Sequence, residues 1–258
     1  MEQPSVSEIN ITYPEASDRH LRISVGACRL DVMPGEGDAW VSGTYQDPSG
    51  ALPCQIVTEG GTVRITQNYN MPDLIGLWDR PPRFELALGK TRPFQLTLEV
   101  GASESRLDLG GVPISRLLVR QGAGKYAIDF SAPNPQPMSL LTLSAGAAGM
   151  EITNLANANC AELNLEGGAA AYVFDFGGTL QRDAHVRVAT GLSSVEICVP
   201  ATTAAKIVSE SLLGSLDVAT GFRRQDGALW TEAAVAGATP LLTINTNVAL
   251  GSLRLVTA

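Results

Sequence analysis

Leu96-Thr-Leu-Glu-Val-Gly101 opens the series that decides the fold. A short apolar run ends in glycine again at Leu118-Val-Arg-Gln-Gly122, Leu143-Ser-Ala-Gly146, Leu165-Glu-Gly-Gly168, Val188-Ala-Thr-Gly191 and Ser211-Leu-Leu-Gly214. Successive glycines stand 21, 24, 22, 23 and 23 residues apart. Two strands and two turns fill that interval, so the period is that of stacked β coils. Within a turn, alternation puts Tyr126, Ile128 and Phe130 on one face. Tyr172, Phe174 and Phe176, then Val195, Ile197 and Val199, occupy the same offset further on. The spacing thus predicts a core column as well as a corner column.

Outward from the repeats, residues 1–19 read as a polar lead-in with one strand around Ile9 to Tyr13. Period-2 alternation then marks strands at Leu21 to Val25, Leu30 to Val32, Ala39 to Tyr45, Cys54 to Thr58, Thr62 to Thr66 and Phe84 to Leu88. Asn68 to Pro82 is a loop carrying large apolar side chains, Trp78 among them. Thr202 to Leu213 is the best helix candidate, and it is short and rich in β-branched neighbours. After Val218 the rhythm breaks, and Leu241 to Ile244 and Leu253 to Val256 supply a last pair of strands. The reading is an all-β chain: a stacked solenoid with two strands per turn, right-handed and β-helix-like, with an antiparallel-leaning N-terminal part. It forms one unit over 1–258, with N-terminal strands in 1–93, the coil in 94–258 and an end-capping insertion at 221–238.

Composition suits this. Of 258 residues 45% are hydrophobic and only 17% charged, and 26 glycines and 15 prolines serve many turns. The net charge of −8 excludes the basic footprint that nucleic-acid binding requires. Cys28, Cys54, Cys160 and Cys198 include no C-x-x-C pair, and with only two histidines in the chain they lack the closely organised spacing of a zinc site. They read as buried reduced thiols, with one or two disulfides as the alternative. The first residues lack a secretory signal's basic start and apolar stretch, and no run approaches the roughly 18–20 apolar residues of a membrane span. The chain as given is expected to be soluble and not to insert into a membrane.

The glycine turns Gly122-Ala-Gly124 and Gly146-Ala-Ala-Gly149 are similar to a known family pattern. So are Leu107-Asp-Leu-Gly-Gly-Val-Pro-Ile-Ser-Arg-Leu-Leu118, Thr153-Asn-Leu-Ala-Asn-Ala158, Val195-Glu-Ile-Cys-Val-Pro200, and Phe84-Glu-Leu-Ala-Leu88 with Pro93-Phe94. Together they resemble the toastrack domain of LiaF-type envelope stress regulators and of proteins labelled "putative adhesins". The likeness spans about residues 20–258 and is one of repeats, so it speaks to fold and not to activity. It implies an envelope setting; family members often carry transmembrane helices beside this module.

Chemistry-bearing residues recur by offset. Asp108, Asp129 and Asp175 lie seven residues after a repeat glycine, a slot that Thr153 and Cys198 fill in other turns. Glu151 and Glu196 lie two residues earlier on the same face. Carboxylates on strands about 4.8 Å apart repel by roughly 0.9 kcal/mol even at water's dielectric constant. This acidic stripe is either a site for Ca²⁺ or a cationic peptide, or a solvated face that keeps the sheet soluble. Trp78, Phe222 and Trp230 sit in the irregular segments, as partner contacts or as end packing. No G-x-S-x-G, H-E-x-x-H or P-loop occurs, and His20 and His185 stand alone beside strand starts. The expectation is a non-enzymatic, adhesin-like interaction or stress-sensing module of the envelope, with a protein partner and no cofactor. The alternative is a carbohydrate-active β-helix enzyme with paired carboxylates.

Overall fold

A computed structural model describes residues 5–50, 52–67 and 81–257; Trp78 and the loop proposed for 68–82 fall outside them, apart from Pro81 and Pro82. Strands β1 (Ser5–Ile11), β2 (His20–Val25), β3 (Cys28–Pro34), β4 (Val41–Asp47), β5 (Cys54–Glu59), β6 (Thr62–Gln67) and β7 (Arg83–Leu88) come first. Longer strands follow: β8 (Phe94–Asp108), β9 (Ile114–Asp129), β10 (Leu141–Thr153), then the pair β11 (Glu162–Gly167) and β12 (Ala171–Asp175), then β13 (Ala184–Val199) and β14 (Ala205–Val218). A hairpin of β15 (Phe222–Gln225) and β16 (Ala228–Thr231), a one-turn helix Glu232–Val235 and β17 (Leu242–Thr257) complete the chain.

The seventeen strands of the described residues join one hydrogen-bonded sheet that coils on itself. Each long strand runs through a corner, so one strand supplies both faces of a rung. Parallel registers stack the rungs so that Val63, Leu21, Leu96, Leu117, Leu141, Leu163, Val186, Ile244 and Ile207 form one column. All nine are buried, each worth about 1.5–3 kcal/mol of apolar transfer. The second core column follows the predicted offset: Tyr126, Met150, Tyr172 and Val195 lie in register, as do Ile128, Ile152, Phe174 and Ile197.

The glycine column is physical. A Cβ on Gly122 would stand 2.8 Å from the Gly101 carbonyl oxygen, and one on Gly168 would stand 2.3 Å from that of Gly146. Only glycine lets rungs stack so tightly there. Gly26 extends the column, meeting Gly101 from the other side. Gly214 does not belong to it. It pairs with Gly251, which pairs with Ser193, two residues past Gly191. Val186 and Ile207 share a column through Ile244, yet Gly191 lies five residues past the first and Gly214 seven past the second, and β17 stands between β13 and β14.

The first rungs are interleaved too. β2 and β3 are parallel neighbours of β8 on one side and of β6 and β7 on the other. The antiparallel pairs of the N-terminal part are β1 with β4, β4 with β7, and β5 with β6. Residues 202–213, the helix candidate, belong instead largely to β14, whose β-branched Ile207 and Val208 suit a rung. The expected strands at 241–244 and 253–256 are the two halves of β17.

Opposite the glycine corner, asparagines hold the turns. The Asn134 amide donates to the carbonyls of Ile114 (2.8 Å) and Ala158 (3.2 Å), that of Asn157 to Phe130 (2.9 Å), and that of Asn159 to Asn134 (3.1 Å). All three are buried, so these bonds satisfy backbone carbonyls that water cannot reach.

Candidate interaction surfaces

On the second half of each rung, Asp108 lies directly opposite Asp129, and Asp129 opposite Thr153. Asp175 pairs with Cys198 further along. The three aspartates are half-buried corner residues. Asp108 accepts from the Gly110 amide (2.9 Å) and from Ser131 Oγ (2.7 and 2.8 Å). Asp129 Oδ1 accepts from Thr153 Oγ1 (2.8 Å) and Asn154 Nδ2 (2.7 Å), and Asp175 accepts from the Gly177 amide (3.0 Å). Each carboxylate therefore ties its turn to itself or to the next rung.

Glu151 and Glu196 stand in the neighbouring column, where Arg106, Ala127, Glu151, Val173, Glu196, Arg254 and Asp217 follow one another. Arg254 reaches Glu196 at 3.3 Å and Asp217 at 3.7 Å. Arg83 reaches Asp31 at 3.0 Å and Glu85 at 2.8 Å at the other end. The five acids of the stripe thus share a face without forming an unbroken row, because arginines and small residues interleave them. Around Ala127 the small side chains leave a depression of about 420 Å³ lined by Asp31, Arg106, Asp108, Asp129, Glu151 and Thr153. Among the described residues, no three acidic, histidine or cysteine side chains converge as metal ligands would.

A larger open groove of about 810 Å³ follows the glycine corner itself, over Gly101, Gly122 and Gly146. Its rim is a polar ladder. Glu99 accepts from Ser24 Oγ (3.1 Å) and Arg120 Nη1 (3.1 Å), with Arg22 at 3.7 Å. Glu99, Arg120, Ser144 and Glu166 all lie two residues before a repeat glycine. That shared offset is the sequence signal of the ladder. Beneath the corner, Gln121 Nε2 donates to Ser103 Oγ (3.0 Å) and to the Ala123 carbonyl (3.0 Å).

His20 joins the same face, bonded to Thr97 Oγ1 at 2.8 Å. Burial holds its pKa below the ordinary value; the positive charge of Arg22 adds to this, Arg116 and Arg64 further, and Asp18 opposes them. Burial pushes the thiols of Cys28 and Cys160 up to about 12 and that of Cys54 to about 11. Burial, then the Asp175 charge, raises Cys198 as well. All four cysteines are free and protonated at neutral pH, which makes them packing groups rather than nucleophiles.

Phe222 and Trp230 lie on the β15–β16 hairpin. Phe222 packs against the core. Trp230 donates to the Gln225 carbonyl (3.3 Å), and the Lys206 ammonium sits 5.1 Å from its ring centre. Trp230 thus links the hairpin to β14, with which β16 pairs at Lys206 and Ile207. No helix among the described residues is long and apolar enough to cross a membrane.

A solved structure supports the architecture. The chain superposes with a TM-score of 0.56 on the crystal structure of a "putative cell adhesion protein" from Clostridium sporogenes, at 14% identity over 99% of this chain and 100% of that one. A "putative adhesin" from Bacteroides fragilis aligns at a TM-score of 0.45 and 8% identity, over 99% and 98% of the two chains. No curated protein matches this sequence. Residues 1–153 match the family described as the N-terminal domain of toast_rack, DUF2154. The chain belongs to the toast_rack family.

Proposed function

We propose that this protein is a non-enzymatic interaction module of the cell envelope, adhesin-like or stress-sensing, which presents its carboxylate-bearing face to a basic segment of a protein partner. One observation carries the reading: Asp108 and Asp129 on adjacent rungs, and Asp175 beyond Thr153, are each held by hydrogen bonds to their own corner or to the next rung. A rigid array of this kind recognises charge without paying side-chain entropy on binding. The envelope setting is what the family resemblance implies. Four protonated thiols and carboxylates held as acceptors or ion pairs are the wrong equipment for nucleophilic or acid–base chemistry.

The test is photo-crosslinking in cells from a reactive amino acid placed at Ala127, in the acidic depression, with Thr142 on the opposite face as control. Capture of an envelope protein from position 127, lost at high salt and absent from 142, supports the reading. Equal capture from both positions refutes it. Release of reducing ends from polysaccharide by the purified protein refutes the non-enzymatic part.

A further inference from the structure

The two ends of the coil are stepped in opposite ways. At the C-terminal end, β16 and β15 extend the first half of β14, and pairing stops at Ile207. Among the described residues, no strand pairs with the outer edge of β14 beyond it. At the N-terminal end the second half is the longer one. β4 and β1 add two strands beyond β7, and β5 adds one beyond β6. A second copy placed end to end would find two strands filling the side where the first copy has none.

The open step is also apolar where it should be sealed. Leu216 points inward in register with Leu253, which is 2% exposed, yet Leu216 itself is 39% exposed. Val218 follows it, half-buried against the core. Leu250 and Leu192, on the adjacent corner, are 45% and 60% exposed, whereas the same slot holds Ala123 and Ala147 in the middle of the coil. A free edge beside exposed leucines is a template for another strand.

We propose that the protein associates head to tail, β1 of a second copy docking in parallel on residues 214–218 of β14. The strand senses agree. β14 is parallel to β7 through every intervening rung, and two antiparallel steps, β7 to β4 and β4 to β1, return β1 to the same sense. Charge selects the register. Continuing the coil in phase would set Asp217 against Glu8, the end of its own column through Glu85 and Thr44. A shift of two residues sets Leu216 beside Ile9, Val218 beside Ile11 and Asp217 beside Asn10. Such a contact is heterologous and does not close, so it propagates as a fibre. It goes beyond the proposed recognition of a basic partner, using the coil ends and leaving the acidic face free.

Sedimentation velocity of the intact protein from micromolar to millimolar concentration tests this. The expected result is a weight-average mass that climbs past the dimer, with Leu216→Lys monomeric throughout. Asn10→Glu, facing Asp217, should weaken assembly at least tenfold, and adding Asp217→Lys should restore it. A wild-type protein that stays monomeric, a mass that stops at dimer, or assembly indifferent to Asn10→Glu overturns the proposal. Circular dichroism confirms that each variant is folded; should Leu216→Lys unfold, the Asn10 and Asp217 charge exchange decides alone.

Discussion

Gly168 lies so close beneath Gly146 that a Cβ on Gly168 would stand 2.3 Å from the Gly146 carbonyl oxygen. The obstacle is backbone and cannot swing aside like a side-chain tip. Gly146 stands in the same relation to Gly122, at 2.7 Å. A repeat visible in the sequence is therefore a requirement for clearance between rungs.

Gly168→Ala should destabilise the fold by about 1–3 kcal/mol, the range for forced overpacking. Gly37→Ala is the control, since a Cβ there meets nothing within 4 Å; it should change stability by less than about 1 kcal/mol in either direction. Urea denaturation of the two variants beside wild type measures both. Equal midpoints would show that the column owes nothing to clearance.

The acidic residues separate by what they hold. Asp129→Ala removes the acceptor of Thr153 and Asn154 and should cost about 1–3 kcal/mol. Exposed Glu151→Ala should stay within about 0.5 kcal/mol. Millimolar Ca²⁺ should leave the melting temperature of the wild-type protein unchanged, because Asp129 Oδ1 already accepts two bonds and no three ligands converge among the described residues. A rise in melting temperature with Ca²⁺ that Asp129→Ala abolishes would contradict this.

The offsets that were legible in the sequence are those fixed by exclusion or by alternation. The glycines at 122, 146 and 168 are legible because a side chain there would strike the backbone of the rung beside it, and Tyr126 with Tyr172 because core and solvent alternate. The order of the last rungs is not. β14 and β17 carry the same alternation, and nothing local tells which of them touches β13. Arg254 stands between Glu196 and Asp217 only because β17 is slotted inward. Hydrogen bonds between rungs were equally hidden: Asp129 and Asn154 meet only once the corner has turned.

Stability should fall on mild acidification through His20. Its folded pKa lies below the unfolded value of about 6.5, so below that pH the unfolded chain binds the extra proton. Burial, with Arg22, Arg116 and Arg64 facing the ring, opposes protonation, and Asp18 alone favours it. The contribution is complete above the unfolded pKa and is lost as pH drops toward the folded one. His20→Gln should flatten the pH dependence of the urea midpoint between about pH 5 and 7. An unaltered slope in that variant would assign the dependence to other groups.

Residue 153, where the family match ends, lies at the last residue of β10, and the sheet continues from β10 to β11 and β12 without a gap. A chain cut there keeps β9 beside β10 but strips its other edge. Leu141, Leu143, Met150 and Ile152, all buried in the whole protein, would then border an unpaired edge more than ten residues long. Open edges of that length with apolar inward faces recruit other strands. The fragment 1–153 should therefore elute as soluble oligomers or precipitate, whereas the full chain gives a cooperative unfolding transition. A monomeric 1–153 with its own sharp urea transition would mean that the coil folds as two units and that the shared core columns are not needed to hold the first.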